Sequence, residues 1–334
     1  MDRGYVKARH QAAGHDGNFT DQQETLFFKP TNSLEVEFYE NVNRNIAHED
    51  NGDVDLQSWM PAFLGTLTLG VSENVSEHAI SRSADPELPK IVQSLQNEPS
   101  SAAHRNKPII VLENLLQSFK SPNILDVKLG KVLHDDLASE DKKLRLQKVS
   151  SDTTSGSLGF RICGLKIQKN SQLHCLDPDF CKADEDGYVA VNKFYGRSLT
   201  ARTIKDAFEL YFAHDALSQQ RRNLLYEVFQ KRLMLLYNTL LNEDVRLISS
   251  SLLFIYEGDL ESWEELDDKH NLLRDEFNCS TSDSEEEEVA NKCLSSLSLI
   301  DFAHSRFVPG QGYDENVLIG VESLLNIFET LTEP

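Results

Sequence analysis

The sequence predicts an α+β fold with a cleft between two lobes, and three observations carry that reading. A strand-like run and a helix start come first, in "LFFK" and "LEVEFYENV". From Thr203 onward, amphipathic helices alternate with short buried strands. The length, 334 residues, is long for one core and short for three. It suits one large two-lobed domain or two small ones. The division is set at residues 1–115 for the first lobe and 116–334 for the second.

Each element follows from a local pattern. "QETLFFKPTNSLEVEFYE" reads as a strand, a turn over Pro30 to Ser33, and a helix with Ser33 as N-cap. Residues 71–107 are rich in Ser, Glu, Asn and Pro without periodicity, as in a surface insertion. "KPIIVLENLL" from Lys107 is a buried strand running into a polar turn. "PNILDVKLG" sets Asp126 and Lys128 in an apolar run. If that run is extended, both side chains share one face and Val127 faces the core. A buried ion pair between the two is one reading, and a charged cleft face is another.

"SEDKKLRLQKV" suits a short helix capped by Ser139, "TTSGSLGF" a loop, and "FRICGLKIQ" an alternating strand. Ile204, Phe208, Tyr211 and Phe212 keep helical spacing, as do Leu225, Val228, Phe229, Leu233, Leu236 and Leu240. "VRLISSSLLFIYEG" reads as one strand, and "LSLIDF" as a short buried strand closing near Asp301. A last helix starts near Asp314, with Val317, Leu318, Val321 and Leu324 on one face.

Charge narrows the ligand classes. The net charge is −21, and fourteen acids between Glu257 and Glu288 face only Lys269 and Arg274. Residues 258–292 are therefore expected to form a disordered acidic insertion. Its "TSDSEEEE" puts Ser282 and Ser284 before acids, as an acid-directed kinase prefers, although an inert solvating run has the same composition. Direct nucleic-acid binding is not expected of so acidic a surface, and any anionic ligand must meet a local basic patch. Such a patch exists: nine basic residues stand against six acids between Asp126 and Lys169.

No apolar run approaches the ~18 residues of a membrane span, and "MDRGYVKARHQAAGHDG" has no apolar signal core, so secretion is not expected. Five scattered cysteines argue for a reducing compartment, and "HCLDPDFC" lacks the second half of a zinc site.

The nucleotide motifs GxxxxGK[ST], GxGxxG and HRD are absent. Yet the parts of a phosphoryl-transfer site occur in kinase order. Lys29 ends a strand, a later strand reaches a turn at Glu113, Asp126 and Lys128 follow, and Asp301 ends a buried strand. Taken alone, Lys29 also fits a surface strand end and Asp301 a turn cap.

"PNILDVKLG" resembles the PxxxDxKxG signature of the inositol polyphosphate kinases. "HQAAGHDG" with "FFKP" and "EVEFYE" is similar to that family's nucleotide lobe, "SGSLGFRICGLKI" and "FYGRSL" to its substrate-side segments, and "SSLLFIYEG" and "IDFAH" to its later motifs. The resemblance runs in order from His10 to about Phe328. Val127, the short leader and the lack of a basic calmodulin-type helix are most like the multikinase branch, and the acidic run before "IDFAH" is most like its fungal members.

The resemblance implies a two-lobed kinase-like fold with an ATP cleft between the lobes. It implies ATP and Mg2+ as cofactors, and phosphorylation of inositol tris- and tetrakisphosphates. Residues 131–157 become a helical inositol-phosphate-binding segment. Lys29, steadied by Glu35, would contact the ATP phosphates, and Glu113 and Leu115 would offer backbone groups to adenine. Asp126 would orient the accepting hydroxyl or take its proton, Lys128 would neutralise the transferring phosphate, and Asp301 would hold the metal. Lys128, Lys142, Arg145, Lys148, Lys166, Lys193 and His304 are the substrate candidates.

Two other readings stand beside this one: a non-catalytic scaffold for transcription regulators, recruited through the acidic run, and a hexakisphosphate kinase that makes pyrophosphates. The expected location is nucleus and cytoplasm.

Overall fold

The computed structural model describes residues 5–8, 12, 17–45, 54–67, 107–274 and 292–333. The insertion expected at 71–107, apart from Lys107, lies outside them, as do Ser282 and Ser284.

Two antiparallel sheets frame the molecule. The first contains β1 (Tyr5–Lys7), β2 (Phe19–Asp21), β3 (Leu26–Pro30), β4 (Phe63–Leu67) and β5 (Ile109–Glu113), in the order β1-β2-β3-β5-β4. The second contains β6 (Pro122–Leu129), β7 (Phe160–Gln168), β8 (Cys181–Ala183), β9 (Tyr188–Val191), β11 (Ser251–Glu257) and β12 (Ser295–Ile300), in the order β12-β11-β6-β7-β9-β8. A two-stranded ribbon pairs β10 (Val245–Leu247) with β13 (Ser305–Phe307). The fold is therefore α+β, as the order of sequence patterns predicts.

Helix α1 (Ser33–Asn45) joins the two sheets. Tyr39 stacks on Phe63 of β4 and meets Phe302 edge-on, while Phe38 stacks on Phe302 and Phe307. Its start lies one residue earlier than the sequence reading has it. Asn32, not Ser33, accepts from the Glu35 N–H at 2.9 Å, and the Asn32 amide donates to the Ala303 carbonyl.

In the second lobe, α5 (Ile204–Phe212), α6 (Gln219–Leu241) and α8 (Glu315–Thr332) cover one face of the larger sheet. Phe254 of β11 stacks on Phe328 of α8 at 5.9 Å, and Phe208, Phe212 and Phe229 close around them. Asp314 caps α8 and also accepts from the Leu247 N–H, tying β10 to the helix start.

Ser139 caps α2 (Glu140–Ser151), as expected. Three other readings need correction. "TTSGSLGF" is no loop: Thr153 caps a short helix, α3 (Thr154–Leu158). "VRLISSSLLFIYEG" is two strands in two sheets, split by a turn at Ser249, whose φ is +59°.

The third correction concerns residues 258–274, which are ordered. Asp259 caps α7 (Leu260–Glu265), and Trp263 is fully buried and donates to the Glu257 carbonyl. Several acids there serve structural bonds rather than solvation. Asp259 accepts from the Ser262 N–H and hydroxyl, and Asp268 pairs with Arg221. Only 275–291 of that run lie outside the described residues.

The segment after β6 turns sharply at Gly130, whose φ is +94°. A Cβ there would stand 2.5 Å from the Asn316 amide nitrogen. Asn316 in turn accepts from the N–H groups of Lys131 and Val132, each at 2.7 Å. The glycine of "DVKLG" is thus needed for both conformation and space. Gly130→Ala should lower stability by about 1–3 kcal/mol through backbone strain and contact. The check is a lower urea midpoint at unchanged m; an unchanged midpoint would contradict it.

Candidate active site

A cleft of about 780 Å3 opens where the two sheets face each other, and Lys29, Glu113, Leu115, Asp126 and Asp301 all line it. Each comes from a different part of the chain. Lys29 lies on β3, Glu113 ends β5 with Leu115 just beyond, Asp126 is central in β6, and Asp301 follows β12.

Lys29 bridges two carboxylates. Its Nζ lies 2.8 Å from Glu35 Oε1 and 2.7 Å from Asp301 Oδ1. Burial works against the ammonium, but Asp301 and Glu35 outweigh it and raise its pKa. Glu35, in the first turn of α1, is completely buried. It accepts from Lys29, from the Phe302 N–H at 2.9 Å and from the Thr31 hydroxyl. Asp301 takes a left-handed backbone, φ +67°, which turns the chain at the strand end and leaves its carboxylate 40% exposed.

At the far wall, Glu113 is held more tightly than a plain strand end. Its N–H donates to the Ala62 carbonyl, so of its backbone groups only the carbonyl is left for a ligand. Its side chain accepts from Arg274 at 2.6 Å and from the Ala62 N–H. Apolar side chains such as Phe27, Pro61, Leu112, Ile124 and Leu253 line the space between, as a flat heterocycle requires.

Asp126 and Lys128 share the cleft side of β6, and Val127 between them is fully buried. They form no ion pair. The Lys128 ammonium donates instead to the Ser249 carbonyl at 2.5 Å, holding the β10–β11 turn. Asp126 is 3% exposed, and its buried Oδ1 lacks a well-formed hydrogen bond, although the Ser251 hydroxyl lies near enough to pull its pKa down. Burial pushes its pKa up to about 7, against the pull of Lys128 and with some help from Asp301.

Arg161 is a site residue that sequence reasoning missed. It pairs across from Lys128, donates to the Ser155 hydroxyl and lowers the pKa of Asp126. Strict alternation along "FRICGLKIQ" would put Arg161 and Gly164 on opposite faces. The register of β6 with β7 shifts between Asp126 and Val127, with Asp126 opposite Gly164 and Val127 opposite Ile162. This bulge turns Phe160, Ile162, Leu165 and Ile167 to the core and leaves Arg161 on the cleft side.

The substrate candidates are less uniformly placed. Lys142 is half-buried on α2, while Arg145 and Lys148 are exposed there. The Ser150 hydroxyl anchors that helix to the Lys131 carbonyl. Lys166 is committed elsewhere: it is buried, pairs with Asp184 and lies over the Tyr188 ring. The ammonium expected to meet substrate is thus already paired within the protein. Lys193 begins α4 (Lys193–Ser198), exposed, with its Nζ 5.7 Å from the Phe194 ring centre. His304 Nδ1 lies 2.5 Å from Asp135 Oδ2.

Asp301, partly exposed at the cleft, suits a hard divalent ion with little help from other side chains. Among the described residues no group of three His, Cys, Asp or Glu could hold a metal. An ion here would therefore take its remaining oxygens from nucleotide phosphates and water, as Mg2+ does.

Comparison with known proteins agrees with this geometry. The profile of the inositol polyphosphate kinase family matches residues 109–329. The Saccharomyces cerevisiae inositol polyphosphate multikinase is 47% identical over 97% of this chain and 98% of its own. The Schizosaccharomyces pombe multikinase is 30% identical, over 96% of each chain. Human inositol hexakisphosphate kinase 2 is 30% identical over 72% of this chain and 56% of its own. A crystal structure of the S. cerevisiae inositol phosphate multikinase in complex with ADP and Mn2+ superposes with a TM-score of 0.73. It is 46% identical and covers 92% of this chain and 100% of that one. Another solved structure, from work on inositol phosphate multikinase, shares 17% identity at a TM-score of 0.51 over 90% of this chain and all of its own, which shows the fold alone.

The Lys29–Glu35 contact should be strongly coupled, because removing either partner strands a buried charge. A cycle of Lys29→Met, Glu35→Gln and the double variant should give a coupling of about 1–3 kcal/mol in unfolding free energy. Additivity within about 0.3 kcal/mol would contradict the buried pair.

Proposed function

The chain belongs to the inositol polyphosphate kinase family, and on that premise we propose that it transfers the terminal phosphoryl group of ATP to hydroxyls of inositol tris- and tetrakisphosphates. The observation that carries this is the meeting of Lys29, Asp126 and Asp301 in one cleft with an apolar wall.

ATP lies with its base against the apolar wall near Glu113 and Leu115 and its phosphates at Lys29. Lys29 is pre-positioned by Glu35, so little ordering remains to be done when nucleotide binds. Asp301 would hold the divalent ion, which would supply positive charge to the transferring phosphoryl group.

Asp126 receives the accepting hydroxyl. Its raised pKa keeps it a better proton acceptor than an exposed aspartate while leaving it largely ionised somewhat above neutrality. Lys128 and Arg161 supply positive charge beside it. Lys142, Arg145 and Lys148 on α2, with Lys193 and His304, meet the substrate phosphates. Flexible basic side chains permit more than one substrate orientation, hence more than one product.

We assign Mg2+ as the working ion and nucleus and cytoplasm as the location. The acidic run near residues 281–288 would bind a basic partner, such as a transcription regulator. Its deletion should leave catalysis intact and remove that partner; retained partner binding would refute the assignment.

The enzyme should convert inositol 1,4,5-trisphosphate to higher phosphates with ATP and Mg2+, and Asp126→Ala should abolish turnover. Product chromatography checks this. Absence of any higher phosphate refutes the kinase reading, and activity on the hexakisphosphate alone moves it to pyrophosphate synthesis. In the free enzyme Asp126 must lose its proton to act, so kcat/KM should rise with pH through about 7 and level off above it. A profile already flat from pH 5 upward would remove Asp126 from that role.

A further inference from the structure

The nucleotide wall is braced from behind by a residue 161 positions away in sequence. Arg274 donates through Nη1 to Glu113 Oε1 at 2.6 Å and through Nη2 to the Met60 carbonyl at 2.5 Å. Both side chains of the ion pair are largely buried, 16% and 10% exposed. The other Glu113 oxygen accepts from the Ala62 N–H. One guanidinium thus joins the end of β5 to the 60–62 strip, and Glu113 and Pro61 from these two segments both line the cleft.

The segment just before Arg274 is anchored to the second lobe, although the Arg274 Nε itself is buried without a partner. Arg232 bonds the carbonyls of Asn271 and Leu272, and the His270 ring bonds the Ser295 hydroxyl. Arg274 does not line the cleft.

We propose that Arg274 is a positioning residue for nucleotide binding, acting through Glu113. It holds the Glu113 carbonyl and Pro61 at the spacing the base requires. This rests on the reading of the cleft as an ATP site. A planar guanidinium can serve a carboxylate and a carbonyl together, whereas an ammonium cannot match that fork. Loss of Arg274 would leave a buried Glu113 carboxylate without its cation, and the wall would shift to hydrate it.

The test uses the full chain. Steady-state kinetics with ATP and inositol trisphosphate, and calorimetry with ADP, are measured for wild type, Arg274→Ala, Arg274→Lys, Glu113→Gln and the Arg274→Ala/Glu113→Gln pair. Arg274→Ala should raise KM for ATP and the ADP Kd roughly tenfold, with kcat and the KM for inositol trisphosphate within about twofold of wild type. Arg274→Lys should fall between. In the Glu113→Gln background, Arg274→Ala should add little, because its route is already cut.

A purely structural residue would lower the active fraction, and so kcat, while leaving KM unchanged. That pattern overturns the proposal, as does a tenfold effect that persists undiminished in Glu113→Gln. If Arg274→Ala does not fold, Arg274→Lys and Glu113→Gln carry the test: both must raise KM for ATP, and wild-type values in either overturn it. If wild type neither binds ADP nor consumes ATP, the nucleotide reading itself falls. If wild type does both and Arg274→Ala matches it, only the role of Arg274 falls.

Discussion

A fully buried carboxylate, Glu35, organises the junction between the lobes. An ion in that position is tolerated only if donors surround it. Here the donors are Lys29 from the first sheet, Thr31 from the turn before α1, and the Phe302 N–H from the second lobe. Satisfying one charge therefore links β3, α1 and the end of β12. Asn32 adds a second link, donating to the Ala303 carbonyl while it caps α1. The aromatic contacts of Phe38 and Tyr39 with Phe302 fill the space around these bonds. The result is that Lys29 and Asp301, 272 positions apart in sequence, meet at 2.7 Å.

The larger sheet supplies the other half of the site by keeping two unlike faces. Val127 and Leu125 on β6 face a dry aromatic core, while Asp126 and Lys128 face the cleft. The bulge against β7 keeps Arg161 on the same side as Lys128. Burial alone would hold Asp126 neutral. The cations nearby moderate that cost, leaving a group that titrates near neutrality. Direct pairing with Lys128 would have fixed the aspartate as a structural anion. The Ser249 carbonyl takes the lysine instead, and Asp126 lines the cleft without a salt-bridge partner.

Much of this was legible in the sequence because strand alternation and helical periodicity are local. The period of β6 put Asp126 and Lys128 on one face, and Ser139 and Asp314 marked helix starts that the structure shows. What was not legible depended on distant partners. The β7 bulge breaks alternation at Cys163 and Gly164, and only the paired strand reveals it, so Arg161 escaped notice. The acids of 258–268 read as part of a disordered run, yet Asp259 and Asp268 spend their charge on a backbone N–H group and on Arg221. The anchoring Trp263 stood within that run, and a lone tryptophan is a weak signal against so many charges. Lys166 looked like a free cation because its partner Asp184 lies 18 residues on, in the turn between β8 and β9. The Glu113–Arg274 bond spans most of the second lobe and has no sequence pattern at all.

The central claim is that Glu35 holds Lys29 and Asp301 together as one phosphate- and metal-binding unit. Calorimetric titration of ATP, with and without Mg2+, into wild type and Glu35→Gln tests it most directly. The account predicts that Mg2+ strengthens ATP binding in wild type and that this gain shrinks roughly tenfold in Glu35→Gln. Equal ATP affinity in both proteins, with the same dependence on Mg2+, would contradict it.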